Sequence, residues 1–126
     1  MAKQKGSYVD GFVLTVPKSK AAEYRKMARD AGKVWRRFGA LEYKECVIQD
    51  AKPKWVTFTF AKMSKAKKNE QVWFSFIVYK SRTHRDQVNK KVMAYFDTKY
   101  KDHKDKSMPF DMKRMAYAGF KVEVGA

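Results

Sequence analysis

The fold of this chain follows from residues 71–86, QVWFSFIVYKSRTHRD. Residues 72–79 are almost all aromatic or β-branched, and such residues favour strands because they pack well on a pleated surface. Successive side chains of a strand point to opposite faces, and both faces are apolar here. A strand with one wet face would alternate apolar and polar residues. We therefore predict a central strand that is covered on both sides.

The hydrophobic pattern on either side of this strand predicts five further elements. Apolar residues alternate in a half-buried strand and recur every three to four residues in an amphipathic helix. On this basis the expected order is strand 8–16, helix 20–38, strand 40–48, central strand 72–79, helix 82–100 and strand 112–124, with a charged loop at 101–111.

Glycines and small polar residues mark the helix ends. Gly39 follows the first helix where a C-terminal cap is expected. Gly32 lies within the pattern, costs about 1 kcal/mol relative to alanine, and predicts close packing or a slight bend. Ser81 or Thr83 caps the second helix, and Thr83 with Asp86 matches a capping box.

Residues 55–60, WVTFTF, allow two interpretations. Their alternation is typical of a short strand, which could form a hairpin with the central strand through the lysine-rich loop at 63–70. The same segment could instead extend as an arm toward another copy of the chain. The sequence does not decide between the two.

The order strand, helix, strand, strand, helix, strand predicts an α+β fold, the ferredoxin-like split βαβ plait (βαββαβ). Two helices would cover one face of an antiparallel sheet in a single domain, residues 1–126, with a disordered tail at 1–6.

The second sheet face would expose more apolar surface than a monomer tolerates. A homodimer through this face, a dimeric α/β barrel, is the favoured cover. The alternative is RNA stacked on aromatic residues, although no RNP1 pattern occurs.

The chain is strongly basic, with 29 basic and 13 acidic residues and a formal net charge of +16. A charge of this size favours polyanionic partners. The lysines are scattered over the ends of the predicted elements, however, which is typical of a solvated surface. Nucleic-acid binding through the basic surface is therefore the alternative function and is not favoured.

Cysteine usage and the absence of motifs limit the chemistry. Cys46 is the single cysteine and can form no disulfide within the chain, which suits a cytoplasmic protein. No metal-ligand spacing, HExxH, GxGxxG, P-loop or GxSxG pattern occurs, so neither a metal nor a cofactor is predicted. The sequence contains no pattern typical of a signal peptide or a membrane span.

Four blocks of sequence resemble the YbaA-like family of small bacterial proteins. The resemblance implies a ferredoxin-like fold of the dimeric α/β-barrel class, usually as homodimers, and it implies no activity, because the family has no known function. Cofactor-free chemistry on this class of fold is an analogy alone, so whether the protein is an enzyme stays undecided. The blocks are YVDGFVLTVPK (8–18), GKVWRRFGALEYKECV (32–47), VWFSFIVYKSRTHRDQVNKKVM (72–93) and MPFDMKRMAYAGF (108–120).

Two acidic residues of the predicted strands are candidate site residues, and only Asp10 lies in a strand that is otherwise apolar. Asp10 is the clearer case, because a buried carboxylate without a partner is costly. We expect it to pair with a residue such as Arg114 or to line a polar pocket, where it would be a base with a raised pKa. Glu45 is similar, although its strand is more polar.

The start of the second helix is a candidate anion site. Helix N-termini present free amide groups, and His84 and Arg82 could hold a carboxylate or phosphate there. A capped helix end with solvated charges is the simpler interpretation. Tyr79 at the end of the central strand and Tyr43 on the second strand complete the predicted pocket. The sequence thus predicts a homodimer that binds a small, anionic ligand.

Overall fold

The computed structural model describes residues 6–101 and 108–126, an α+β structure with a four-stranded antiparallel sheet. The predicted α+β class and the predicted order of the long elements are confirmed. Three-residue 3-10 helices at Lys18–Lys20 and Met112–Arg114 precede the first helix and the last strand. The elements are β1 (Tyr8–Pro17), α1 (Ala21–Arg37), β2 (Glu42–Val47), α2 (Phe60–Met63), β3 (Glu70–Tyr79), α3 (Arg82–Lys99) and β4 (Ala116–Lys121).

The strand order in the sheet is β2-β3-β1-β4, so β3 is central, as predicted. Strands β1 and β3 pair over ten residues, from Tyr8 opposite Tyr79 to Pro17 opposite Glu70. Strand β2 adds to the free edge of β3, and β4 adds to the free edge of β1. The two strands with apolar residues on both faces therefore occupy the centre, where side chains gain most from burial.

Helices α1 and α3 cover one face of the sheet and form the core with it. One cluster joins Ile77 and Tyr79 of β3 to Val88 and Val92 of α3. A second cluster, toward the other end of β1, joins strand residues to the apolar stripe of α1. Its buried members are Leu14, Val16, Tyr24, Ala28 and Trp73.

The opposite face of the sheet is only partly covered. Val72 and Thr15 are buried there, but Phe74 is 44% exposed and Phe120 is 57% exposed. Phe60, at the start of α2, packs edge-on against Phe74 with ring centroids 6.4 Å apart. The predicted cover of the central strand is therefore confirmed on the helix side, and the cover of the other face stays a prediction.

The prediction of a strand at 55–60 was wrong. These residues belong to the connection between β2 and β3, and Thr59 caps α2 by accepting a hydrogen bond from the Lys62 amide. Trp55 has a φ of +72° and is 98% exposed. A ladder partner was not available, because β2 and β1 already occupy both edges of β3. Alternation of apolar and polar residues is therefore not enough to form a strand where the neighbouring strand has no free edge to pair with.

The predicted helix ends are confirmed in part. Gly39 follows α1 with a φ of +117°, a conformation that favours glycine. Ser81 caps α3 by accepting a hydrogen bond from the His84 amide at 3.0 Å. The Thr83–Asp86 capping box was wrong, because α3 already begins at Arg82.

The C-terminal strand is shorter than the predicted 112–124. Met112–Arg114 forms a 3-10 helix that Asp111 caps, so the strand begins only at Ala116. Residues 108–111 lie outside helices and strands, as predicted for the loop at 101–111, whereas residues 102–107 lie outside the described residues. The same holds for residues 1–5 of the predicted tail.

We expect Gly32→Ala to lower stability because α1 touches β2 at this glycine. A Cβ there would lie 2.7 Å from a ring carbon of Tyr43. Overpacking of this kind costs about 1–3 kcal/mol, which exceeds the gain of about 1 kcal/mol from better helix propensity. Urea unfolding should show a net loss of about 1 kcal/mol. Lys33→Ala, at the exposed neighbouring position, is the control and should change stability by less than about 0.5 kcal/mol. A gain in the Gly32→Ala variant would contradict the close contact.

Candidate functional site

A cavity of about 570 Å³ lies between the helix-side face of the sheet and the helices α1 and α3. Its wall is mostly apolar and aromatic. The sheet and the two helices form most of the wall, and residues 108–110 supply a further part of it. The strands contribute Phe12, Leu14, Tyr43, Glu45, Ser75 and Ile77; α1 contributes Glu23, Tyr24, Lys26, Met27, Ala28, Asp30, Ala31 and Trp35; α3 contributes Phe96; and Tyr100, Met108, Pro109, Phe110 and Met115 complete the wall.

Glu45 is the carboxylate that β2 places on the cavity wall. The Tyr24 hydroxyl donates to its Oε1 at 2.8 Å, and the Tyr43 hydroxyl donates to its Oε2 at 2.6 Å. Burial raises the pKa of Glu45 above its ordinary value, against hydrogen bonds from both tyrosines and Ser75 that lower it. Burial and the adjacent carboxylate raise the pKa of both tyrosines, so they remain hydrogen-bond donors.

The tyrosine hydroxyls that hydrogen-bond to Glu45 are neutral groups. Within residues 6–101 and 108–126, no lysine, arginine or histidine forms an ion pair with it. A partly buried carboxylate without a neighbouring positive charge loses hydration in its ionised form, so it either takes up a proton more readily or binds a cation. Glu45 is therefore the chemically distinctive group of the cavity.

Two of the predicted pocket residues, Tyr43 and Glu45, do line this cavity. Sequence reasoning missed Tyr24, which holds the same carboxylate from α1. Tyr24 belongs to the apolar stripe of α1, and its spacing indicates only that it faces the sheet. A tyrosine hydroxyl that reaches a buried site needs a polar partner. A tyrosine within an apolar stripe was therefore the feature that could have indicated a polar group opposite α1.

Asp10 is buried, at 1% exposure, but it pairs with Arg85 rather than with Arg114. Arg85 Nη1 lies 2.7 Å from Asp10 Oδ1, and the Tyr117 hydroxyl lies 3.1 Å from the same oxygen. The Arg85 guanidinium also lies over the ring of Tyr8, 4.9 Å from its centroid. Burial raises the pKa of Asp10, while Arg85 opposes this shift. Asp10 is absent from the cavity wall.

The predicted partner Arg114 lies at the other end of β1. It forms a two-pronged ion pair with Glu70, at 2.6 and 2.7 Å, and it also binds Asp111 at 2.9 Å. Glu70 lies opposite Pro17 in the ladder, whereas Asp10 is the third residue of β1. Arg85 reaches Asp10 because α3 begins directly after β3, beside the start of β1.

The remaining predicted residues lie around the start of α3 and do not line the cavity. Tyr79 is fully buried and donates to Asn89 Oδ1 at 3.1 Å. His84 Nδ1 accepts from the Lys80 amide at 2.9 Å, and burial with nearby lysines lowers its pKa. Arg82 borders a separate surface depression, which Lys121 of β4 also lines. The seven predicted residues therefore fall into several places instead of one pocket.

Nowhere in residues 6–101 and 108–126 do three or more His, Cys, Asp or Glu side chains gather closely enough to hold a metal ion. Within the same residues, no helix combines the length and apolar character that a membrane crossing requires.

Comparison with known proteins gives a family and close relatives. The profile of a family described as "Protein of unknown function (DUF1428)" matches residues 7–112. "Uncharacterized protein YbaA" of Escherichia coli (strain K12) is 46% identical over 113 residues, which are 90% of this chain and 93% of that protein, and YbaA of Shigella flexneri matches equally. The solved "De novo designed protein Foldit4" superposes with a TM-score of 0.47 at 9% identity, covering 91% of this chain and 97% of that one. The resemblance inferred from the sequence is confirmed.

We expect Arg85→Met to destabilise the protein strongly, because it leaves the Asp10 carboxylate buried without its cation. Breaking a buried pair on one side typically costs about 3–5 kcal/mol. The double variant Asp10→Asn/Arg85→Met removes both charges and should lose clearly less in urea unfolding than the single variant. Arg82→Met, on the exposed side of the same helix turn, is the control for loss of a positive charge. Equal losses in the single and double variants would show that the ion pair does not matter.

Proposed function

Because this chain belongs to the DUF1428 family of proteins of unknown function, we propose its function from its geometry: it binds a small, largely apolar ligand between the sheet and helices α1 and α3. The observation that carries the proposal is the cavity of about 570 Å³ with Glu45 on its wall. Small-molecule sites typically measure about 300–1,000 Å³ and combine an apolar wall with a few placed polar groups.

The size of the cavity supports a binding role over a packing defect. Protein interiors are close-packed, and voids much larger than a water molecule are rare. The helices α1 and α3 hold this space open with large side chains such as Trp35, which donates to Asn89 Oδ1 at 3.1 Å. A fixed aromatic wall of this kind is pre-organised for a ligand, which reduces the entropy lost on binding.

The chemistry of the wall disfavours the anionic ligand expected from the sequence. That expectation rested on His84 and Arg82, and neither residue lines the cavity. A ligand in the cavity would meet the partly buried Glu45 carboxylate, which repels anions. Any cofactor-free proton transfer to a bound molecule would also use Glu45, because Asp10 is held by Arg85 away from the cavity.

We further propose that the chain is a ferredoxin-like plait and works as a homodimer of the dimeric α/β-barrel class. The strand order β2-β3-β1-β4 with α1 and α3 on one face supports the plait. The partly bare face opposite, with Phe74 and Phe120 about half exposed, supports a second copy as its cover. A cytoplasmic location is part of the proposal and is supported by the lone Cys46.

A second copy fits this face better than RNA does. An RNA platform combines aromatic faces with basic side chains along the strand path. Here Phe74 and Phe76 stand beside aliphatic residues such as Val13 and Val78. Lys44, which lies opposite Phe76 on β2, is 3.7 Å from the Glu42 carboxylate. An apolar face with few free charges favours protein contact over phosphate binding.

Ligand binding is tested by filling the cavity. We expect a small-molecule screen, read by ligand-observed NMR, to give hits that Ala31→Phe abolishes, because Ala31 is part of the cavity wall. The matched control is Ala22→Phe, which adds the same side chain to an exposed position of α1 and should keep the hits. Hits that survive Ala31→Phe unchanged, or no hits at all, would contradict the proposal.

The homodimer is tested by sedimentation at micromolar concentration. We expect the wild type to sediment at about twice the chain mass of 14.8 kDa and Phe74→Lys/Phe120→Lys to sediment as a monomer, because both charges would be buried against the partner's apolar face. Met93→Lys, at an equally exposed residue of α3 away from this face, is the control and should remain dimeric. A monomeric wild type would contradict the proposal. Retention of RNA by that monomer would then favour the alternative cover.

A further inference from the structure

We propose that the cavity selects organic cations, namely protonated amines carried on an aromatic or apolar body. This inference rests on the proposed ligand-binding function and names the chemical class of its ligand. It is carried by two features of the wall: a partly buried carboxylate that forms no ion pair with any of the described basic residues, and a set of aromatic rings around it.

The charge of the wall is opposite to the charge of the protein. The chain has more than twice as many basic as acidic residues. Among the described residues, however, the cavity wall has the three carboxylates Glu23, Asp30 and Glu45 and a single basic residue, Lys26. Lys26 is 3.0 Å from Asp30, so this pair is internally neutral. The wall therefore retains a negative excess inside a strongly positive molecule, which raises the local concentration of cations.

Glu45 offers the ion-pairing group. Its two oxygens accept hydrogen bonds from Tyr24 and Tyr43, and Ser75 contributes a further one. A carboxylate has about four acceptor positions, so one position stays available to an ammonium N–H. These neutral donors fix the orientation of the carboxylate but do not neutralise it. A ligand ammonium would supply the missing positive charge and form a charge-assisted hydrogen bond.

The aromatic part of the wall supports the same ligand class. The ring centroid of Trp35 lies 6.0 Å from that of Tyr43 and 5.8 Å from that of Phe96. All three rings border the cavity, together with Phe12. Ring faces attract cations by about 0.5–2 kcal/mol each, most strongly where water is excluded. A carboxylate beside several rings is a recurring solution for binding amines, and the apolar wall accommodates the remainder of the molecule.

The pH dependence follows from the sign of the Glu45 shift. Burial raises the pKa of Glu45, and an ammonium binds only its ionised form. The preference for cations is therefore complete above this raised pKa and is lost as the pH falls through it. The other ionisable groups that border the cavity are Tyr24, Tyr43, Tyr100, Glu23, Lys26 and Asp30. Burial and the Glu45 carboxylate raise the pKa of Tyr24 and Tyr43, so these two hydroxyls stay neutral.

The experiment compares three probes that share one body and differ in charge. For the phenyl and the 1-naphthyl series, these are the 2-arylethylammonium, the 2-arylethanol and the arylacetate. Calorimetry at pH 7.5 should show the ammonium of at least one series binding at least tenfold more tightly than its alcohol, with the arylacetate weakest. Lowering the pH toward 4 should reduce the ammonium affinity and leave the alcohol affinity unchanged.

Variants identify the group responsible. Glu45→Gln should lower the ammonium affinity at least tenfold and leave the alcohol affinity within about threefold, which also shows that the variant is folded. Glu42→Gln removes a carboxylate from the same strand, on the opposite face of the sheet, and should change neither affinity.

The failures are distinguishable. Equal affinity of the wild type for ammonium and alcohol, with both lost in Ala31→Phe, would overturn the cation inference and leave ligand binding intact. Tightest binding of the arylacetate would overturn it as well and would favour the anion expected from the sequence. Binding of none of the probes would overturn the inference, and an empty general screen would overturn the proposed function with it.

Discussion

The pairing of β1 with β3 is the constraint on which the rest of the structure depends. Ten residues of each strand lie opposite each other without interruption, and this register decides which side chains share a face. Because side chains alternate, Phe12, Ser75 and Ile77 lie under the helices, whereas Val13, Phe74 and Phe76 lie on the open face. A shift of β3 by one residue against β1 would move Ser75 and Ile77 to the open face and bring Phe74 and Phe76 under the helices. The part of the cavity wall that β3 supplies would then be lost.

The helix side of the sheet has two acidic residues in different environments. Asp10 is buried near the start of β1, where the first turn of α3 brings Arg85 within 2.7 Å. Glu45 is partly buried on β2 opposite Ser75, where α1 supplies the Tyr24 hydroxyl and no ion pair with a described residue forms. One carboxylate is therefore part of a structural ion pair, while the other is oriented by neutral donors and keeps its charge unbalanced. The Glu45 carboxylate can still bind a cation, because no group within the described fold neutralises its charge.

The sequence predicted what local pattern controls and missed what long-range geometry controls. The strands, the helices and the central position of β3 follow from periodicity, and Tyr43 and Glu45 were recognised as neighbours on one face of the predicted second strand. The partner of Asp10 could not be identified, since Arg85 and Arg114 are equally basic and only the path of α3 separates them. Tyr24 was hidden in an ordinary apolar stripe. Residues 55–60 have a strand pattern, yet the sheet has no free edge beside β3 for them.

The two faces of the sheet separate the two proposed activities of the molecule. Trp73, Ser75 and Ile77 alternate along β3 with Phe74 and Phe76, so neighbouring residues serve different surfaces. A partner on the open face would bury Phe74 without reaching Glu45, because the thickness of the sheet lies between them. Dimerisation would then stabilise β3 and β1, which carry the floor of the cavity, and leave its helix side free to admit a ligand. The proposed ligand and the proposed second copy would therefore occupy different surfaces of the same sheet.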